Sequence, residues 1–199
     1  MVELPVMEHF YTVQGEGAYS GVAAYFIRLG GCDVGCVWCD VKDSWDADAH
    51  PKYAIEDIVS WPLKANAELV VITGGEPLMY DLFPLTRALR EAGLKVNIET
   101  SGAHPLTGSF DWITLSPKKF KMPLPEICSH AQELKIIVFN KSDFVWAEDY
   151  AQKVSKHCQL YLQPEWDKSD AMLPLIIDYV KLNPQWRISL QTHKFMQIP

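Results

Sequence analysis

The chain has 199 residues, of which 48% are apolar, and a formal net charge of −7. This size and composition predict a single folded domain, residues 1–199, with its own hydrophobic core. The acidic balance argues against a nucleic-acid partner. No apolar run reaches the roughly 18–20 residues that span a bilayer, and the N-terminus lacks the pattern of a secretory signal. We therefore expect a cytoplasmic protein without a membrane partner.

Short β-rich stretches alternate with amphipathic ones along the chain. The second group predicts helices near 79–93, which Gly93 would end, near 141–154, with Ser142 as N-cap, and near 169–182. The first group predicts seven strands, at 23–29, 68–73, 95–100, 111–116, 134–139, 159–163 and 187–191.

Strand and helix in alternation predict parallel strands joined by right-handed crossovers. The chain is too short for a closed eight-fold barrel, which needs about 250 residues. The segment between Thr100 and Asp111 is also too short for a crossover helix. We therefore predict an α/β fold, an incomplete, open parallel (β/α) barrel with trimmed helices.

Unusual motifs follow the predicted strands at their C-terminal ends, where working loops lie in such sheets. His193, in the last motif, fits either a packing histidine or a substrate contact. The motifs are GGCDVGCVWC (30–39), GGEP (74–77), ETSG (99–102), SPK (116–118), LQPEW (162–166) and LQTHK (190–194).

Three cysteines, Cys32, Cys36 and Cys39, fall within eight residues at the spacing C-x3-C-x2-C. Zinc would need a fourth ligand, which His50 or Asp40 could supply. A four-iron cluster needs one cysteine for each iron, so three would leave one iron open to an exogenous ligand. The odd total of five cysteines argues against a disulfide framework. We interpret the remaining two, Cys128 and Cys158, as plain buried residues.

Trp38 completes the pattern C-x3-C-x-aromatic-C, and GGEP follows the next predicted strand. In both features the chain resembles the radical S-adenosylmethionine (SAM) enzymes. The resemblance implies a [4Fe-4S] cluster on the three cysteines, with the amine and carboxylate of SAM on the open iron. Glu76 would accept from the SAM ammonium group. The resemblance also implies an electron donor such as flavodoxin or ferredoxin.

QGEG (14–17), TGGEP, ET, SPK and the terminal HKFMQIP occur in this order. The order resembles the 7-carboxy-7-deazaguanine synthase family from Phe10 to Pro199. That resemblance implies a 5′-deoxyadenosyl radical that abstracts the C6 hydrogen of 6-carboxy-5,6,7,8-tetrahydropterin. The ring contracts and ammonia leaves, giving 7-carboxy-7-deazaguanine for queuosine and other 7-deazapurines. It also implies regeneration of SAM and a homodimer.

The family pattern assigns residues to two binding sites. Arg28 would act as counter-charge for the substrate carboxylate, and the main-chain carboxylate of Pro199 would meet the guanidine-like edge of the pterin. The SAM site would comprise Trp38, Cys39, Asp40, Gly75, Glu76, Ser116, Pro117 and Lys118, and the substrate site Val13, Gln14, Gly15, Glu16, Arg28, Thr73, Thr100 and Pro199.

One position departs from the family pattern. Where the family often has a Thr or Ser that ligates Mg²⁺, this chain has Val41, whose side chain cannot ligate a metal. We expect any Mg²⁺ to be held by substrate and waters, with help from Asp43 or Ser44, or the dependence on Mg²⁺ to be weak.

Two other readings stay open at this point. A radical SAM activase, which installs a glycyl radical on a partner protein, would share the cysteine loop but leave QGEG without a role. A zinc-stabilised module would use the same cysteines without catalysis.

Overall fold

The computed structural model describes residues 2–199, and its nine strands form one sheet in the order β3-β1-β2-β4-β5-β6-β7-β8-β9. From β2 to β9 neighbouring strands are parallel, whereas β1 runs antiparallel to both β2 and β3. The strands are β1 (Glu3–Val13), β2 (Ala23–Leu29), β3 (Lys52–Ala54), β4 (Leu69–Gly74), β5 (Lys95–Thr100), β6 (Trp112–Leu115), β7 (Glu133–Val138), β8 (Gln159–Pro164) and β9 (Trp186–Ile188).

Six α-helices connect or flank these strands: α1 (Ile55–Lys64), α2 (Phe83–Glu91), α3 (Pro125–His130), α4 (Asp143–Ala151), α5 (Ser169–Leu182) and α6 (Thr192–Met196). The main core cluster extends from Leu4 in β1 to Trp186 in β9 and includes buried residues of α1, α2, α4 and α5. No helix among residues 2–199 combines the length and the apolar character that crossing a membrane would require.

The predicted open barrel with trimmed helices is confirmed. The sheet ends at β3 and β9, which have three residues each and are not paired with one another. Residues 101–111, between β5 and β6, contain no helix, and α3 and α6 have only six and five residues. The single-domain assignment stays a prediction, although all nine strands share one sheet.

All seven predicted strands are present, and six have ends within one residue of those predicted. The seventh, predicted at 187–191, ends at Ile188, and Gln191 instead precedes α6. Strands β1 and β3 were not predicted. The eleven residues of β1 contain Pro5, and their register against β2 shifts between Val6 and Glu8. This irregularity interrupts the alternation of apolar and polar residues by which a strand is recognised.

The N-cap interpretation of Ser142 was wrong in its mechanism. Ser142 does occupy the position before α4, but its side chain makes no capping hydrogen bond. The carboxylate of Asp143 instead accepts hydrogen bonds from the backbone N–H groups of Phe139 and Asn140, both at 2.8 Å.

Candidate functional site

A cavity of about 260 Å³ opens at the C-terminal edge of the parallel strands. The loops after β2, β4, β5, β6 and β8 reach it, together with α6 and the C-terminal residue. Three of the residues assigned from sequence, Asp43, Glu76 and Pro117, are not among those that line it. The assigned residues on its wall are Val13, Gln14, Gly15, Glu16, Arg28, Cys32, Cys36, Trp38, Cys39, Asp40, Val41, Ser44, Thr73, Gly75, Thr100, Ser116, Lys118 and Pro199.

The three cysteines after β2 face this cavity together. Backbone hydrogen bonds hold their loop: Cys32 N–H donates to the Trp45 carbonyl at 3.1 Å, and Cys39 N–H to the Cys36 carbonyl at 3.1 Å. Cys36 is buried against Val34 and Ala103, with Cys32 and Cys39 beside it. Burial raises the pKa of the Cys32 thiol, and it raises the pKa of the Cys36 thiol to about 11. These two groups are therefore thiols at neutral pH until a metal displaces their protons.

Gly75, in GGEP, brings the end of β4 against the cysteine loop. A Cβ on Gly75 would overlap the carbonyl oxygen of Gly31 and crowd the Cβ of Cys32. The same close approach allows Glu76 N–H to donate to the Gly31 carbonyl at 2.8 Å. The glycine is therefore required for packing against the cysteine loop as well as for access to a ligand.

The carboxylate of Glu76 does not reach the cavity. It is 1% exposed, and its oxygens accept hydrogen bonds from the hydroxyls of Thr100 and Ser101 and from the backbone N–H groups of Ser101 and Leu78. Four donors leave little capacity for a ligand ammonium group. In this structure Glu76 joins the loops after β4 and β5, and it is Gly75 that lines the cavity.

Next to the cysteines, the wall combines aromatic, cationic and unpaired polar groups. The Lys118 ammonium lies 5.6 Å from the centre of the Trp38 ring and donates to the Ser116 hydroxyl at 2.6 Å. Burial lowers the pKa of Lys118. Trp45 and Glu165 also line the cavity, and two of their buried atoms, Glu165 Oε2 and Trp45 Nε1, have no hydrogen-bond partner within residues 2–199.

Gln14, Glu16, Glu99 and Lys135 form a charged cluster on another part of the wall. Gln14 Nε2 donates to Glu99 Oε1 at 2.9 Å, and Glu16 N–H donates to Gln14 Oε1 at 3.0 Å. The Lys135 ammonium pairs with Glu16 and lies 3.8 Å from Glu99 Oε2. Burial alone would raise the pKa of Glu16, but the Lys135 ammonium outweighs it and lowers this pKa to about 2.

The other assigned substrate residues lie around this cluster. Arg28 Nε pairs with Glu8 at 2.6 Å and remains on the wall. Thr100 donates its hydroxyl proton to Glu76 and accepts from the Gly102 N–H at 2.9 Å, so one lone pair remains for a ligand. The carbonyl oxygen of Pro199 lies 3.4 Å from the Thr12 hydroxyl, which places the C-terminus beside the end of β1.

No role was predicted from sequence for Glu99, Lys135 or Glu165. Glu99 lies in the motif ETSG and Glu165 in the motif LQPEW, both at the ends of predicted strands. Lys135 lies in the apolar stretch LKIIVF, where an isolated lysine was a signal that could have found it.

The site fits a cluster better than a single metal ion. Among residues 2–199 there is no group of three or more His, Cys, Asp or Glu side chains arranged to hold one ion. Zinc on the three cysteines with His50 or Asp40 would require such a group. His50 Nε2 instead lies 2.8 Å from the Asp43 carbonyl. The three cysteines do line one cavity, as a [4Fe-4S] cluster with one cysteine on each of three irons would require.

Comparison with known proteins gives the class first. The sequence profile of the Radical SAM superfamily matches residues 26–120, the segment that carries the cysteine loop, GGEP and SPK. This class uses a [4Fe-4S] cluster and SAM. The crystal structure of QueE from Escherichia coli superposes with a TM-score of 0.85 at 34% identity, covering 94% of this chain and 93% of that one.

Full-length relatives then give the family. A 7-carboxy-7-deazaguanine synthase of Flavobacterium psychrophilum is 56% identical over 98% of this chain and 93% of its own length. One from Synechocystis is 51% identical over 99% of this chain and 94% of its own, and one from Escherichia coli is 35% identical over 99% and 100%. The chain belongs to the 7-carboxy-7-deazaguanine synthase family of radical SAM enzymes, which are lyases.

Proposed function

We propose that this chain converts 6-carboxy-5,6,7,8-tetrahydropterin to 7-carboxy-7-deazaguanine with loss of ammonia, in a route to 7-deazapurines such as queuosine. The observation that carries the proposal is a cavity that combines three cysteines with two carboxylates, Glu16 and Glu99, grouped around Gln14 and Lys135. The first feature suits a radical-generating cofactor, and the second suits the donor-rich edge of a pterin.

A [4Fe-4S] cluster with bound SAM would supply the radical chemistry that acts at C6 of the substrate. Cys32, Cys36 and Cys39 would hold the cluster. Trp38, Asp40, Gly75, Ser116 and Lys118 would border SAM. The residues orient the reactants and exclude water, and the cofactor supplies the difficult step.

The substrate would occupy the other part of the cavity. Glu16, held by Lys135, presents an acceptor for the N–H groups of the pterin ring, and Arg28 presents donors for its carboxylate. Val13, Gly15 and Thr73 complete the wall on this side. Pro199 lines the cavity, and its main-chain carboxylate would border the pterin ring on this side.

Magnesium dependence is proposed to be weak. Val41 lies on the wall where the family often has a hydroxyl, and Asp43 does not line the cavity. Ser44 does line it, but its hydroxyl donates to the Val41 carbonyl at 2.6 Å. Substrate oxygens and waters would therefore supply most ligands of any bound Mg²⁺.

Family resemblance supports a homodimer and a flavodoxin or ferredoxin as electron donor, and sedimentation velocity tests the first of these. A cytoplasmic location is also proposed, since a reducing compartment suits five cysteines that form no disulfide within residues 2–199.

The test is an anaerobic assay with reductant, SAM and 6-carboxytetrahydropterin, scored for the deazaguanine product. Cys36→Ala is expected to abolish product and to reduce bound iron. Cys128→Ala, which alters a buried cysteine away from the cavity, should retain both. Arg28→Ala should weaken pterin binding more than SAM cleavage. A wild-type protein that holds a full cluster and cleaves SAM but leaves the pterin unchanged contradicts the proposal.

A further inference from the structure

Lys135 is a buried cation on the wall of the cavity, and the proposed reaction does not use it as a catalytic group. It lies in β7 and is 4% exposed. Its neighbour at the next inward-facing position, Glu133, is 2% exposed and accepts from the Ala18 N–H at 3.0 Å and from Trp112 Nε1 at 3.2 Å. Lysine is rarely buried unless it is paired, so the surroundings of this ammonium group indicate its role.

The pairing is with carboxylates brought from two distant elements. Glu16 comes from the loop after β1, 119 residues away, and Glu99 from β5. In the salt bridges of residues 2–199, these two carboxylates share Lys135 as their cation. Burial opposes the charge on Lys135, but Glu16, Glu99 and Glu133 outweigh this effect and raise its pKa.

We propose that Lys135 is a positioning residue for the substrate: its ammonium group pairs with both Glu16 and Glu99 and holds the two carboxylates side by side on the cavity wall, where they select a ligand with adjacent N–H donors. The 2-amino-4-oxopyrimidine edge of a pterin is such a ligand. The inference rests on the proposed function and deepens it, because it assigns the recognition of that edge to a pair of carboxylates with a shared cation.

The physical basis is the instability of neighbouring buried carboxylates. Two such groups do not both stay ionised without a cation, and one of them takes up a proton. A protonated carboxyl presents an O–H where the ligand presents an N–H, so the charge-assisted hydrogen bonds are lost. Hydrogen bonds to a charged group account for about 10- to 100-fold in affinity.

Other charged groups near the pair do not replace Lys135. His193 on α6 faces Glu16, Glu99 and Asp40, but burial lowers its pKa, so its imidazole is neutral near pH 7. The Lys118 ammonium, in the loop after β6, donates to Ser116, and Arg28 pairs with Glu8. The third carboxylate, Glu133, adds negative charge when ionised, although burial raises its pKa.

The test is equilibrium binding of 6-carboxypterin, an air-stable fluorescent probe, to the reconstituted enzyme with SAM from about pH 5.5 to about pH 7.5. The affinity of the wild type is first corrected for the ionisation of the probe itself. The corrected affinity should not change over this pH range, because Glu16 is ionised throughout. K135M should bind about 10- to 100-fold more weakly at the acidic end and recover as the pH rises. K135R, which keeps the cation, should follow the wild type, and iron content and SAM binding should be unchanged in all variants.

If K135M does not fold, the double variant E16Q/K135M still tests the inference. E16Q should bind the probe weakly at every pH. If Lys135 acts through Glu16, E16Q/K135M should bind within about threefold of E16Q, since no Glu16 charge remains to be held. A further loss of about tenfold, or a K135M variant with the wild-type affinity and pH profile, overturns the inference. A wild-type enzyme that neither binds the probe nor forms product contradicts the proposed function instead.

Discussion

The carboxylate of Glu76 is the most heavily hydrogen-bonded single group near the site. Its donors come from the loops after β4 and β5, and it lies beneath the wall rather than on it. A buried carboxylate with this many donors stabilises the loops by satisfying groups that would otherwise lack partners. Its contribution to the site therefore passes through Thr100, which does line the cavity.

Glu76→Gln tests this role in stability. The amide places an NH2 group against two of the four donors, so we expect the free energy of unfolding to fall by about 3 kcal/mol. Urea unfolding of the metal-free protein measures the effect without any ligand. Glu68→Gln, at the exposed start of the same strand region, should change the free energy by less than about 0.5 kcal/mol. If the Glu76→Gln protein were as stable as the wild type but failed to bind SAM, Glu76 would have the role predicted from sequence, a contact with the SAM ammonium group.

The role of a residue could be predicted from sequence where the residues that share the role lie close together in the chain. The three cysteines and Trp38 could be assigned because their spacing lies within one loop. The isolated lysine in LKIIVF could have marked Lys135 as unusual, but not its pairing, because Glu16 is 119 residues away and only the folded sheet brings the two together. The same holds for Glu76, whose motif predicts a ligand contact while the fold supplies it with protein donors.

At the scale of elements, the loop between β1 and β2 packs next to the cluster formed by Gln14, Glu16, Glu99 and Lys135. Gly17 N–H donates to the Ser189 hydroxyl at 2.9 Å, and Ala18 N–H donates to Glu133. Gly17 has φ +62°, and a Cβ there would overlap the Glu133 carboxylate. The carboxylate is fixed by Ala18 and Trp112, so it cannot move away without loss of those bonds.

Gly17→Ala is therefore expected to cost more than an ordinary glycine substitution in the same loop. Gly21→Ala is the matched control: Gly21 has φ +90°, but a Cβ added there would meet no atom within 4 Å, so only backbone strain applies. We expect about 1 kcal/mol for Gly21→Ala and more than about 2 kcal/mol for Gly17→Ala in urea unfolding. Equal losses in the two variants would show that the contact with Glu133 does not hold the loop.

Elements with a clean pattern were predictable, and irregular or very short ones were not. The strands β4 and β7 are largely apolar and β5 alternates apolar and polar residues, and all three were found to within one residue of their ends. The antiparallel β1 carries a register shift, and β3 has three residues, too few for any periodicity. Their pairing depends on tertiary contacts, which sequence patterns do not contain.

At the scale of the whole molecule, one sheet places all the site loops at the same edge. Parallel order from β2 to β9 followed from the alternation of strands and helices, and so did the common edge of the motifs. The order of strands and the cavity itself required the structure. The core that holds this arrangement also buries several weak acids far from the cavity, which links stability of the fold to alkaline pH.

Tyr150 and Cys158 are two of these acids, 2% and 9% exposed. Burial raises the pKa of Tyr150 from 10.0 to about 12 and that of Cys158 from 9.0 to about 12. A raised pKa means that the folded state keeps protons that the unfolded chain has already released. The stabilisation is complete below the unfolded-state values and is lost as the pH rises toward the folded-state values.

Urea unfolding at about pH 8 and about pH 11 should therefore show a loss of stability at the higher pH, with about 1 kcal/mol of it from Tyr150. Tyr150→Phe removes that ionisation, so the difference between the two pH values should shrink by this amount. Tyr11→Phe, which alters a tyrosine 47% exposed, should leave the difference unchanged. If Tyr150→Phe and Tyr11→Phe behave alike, alkaline unfolding does not depend on buried Tyr150, and the remaining loss must come from other groups such as Cys158.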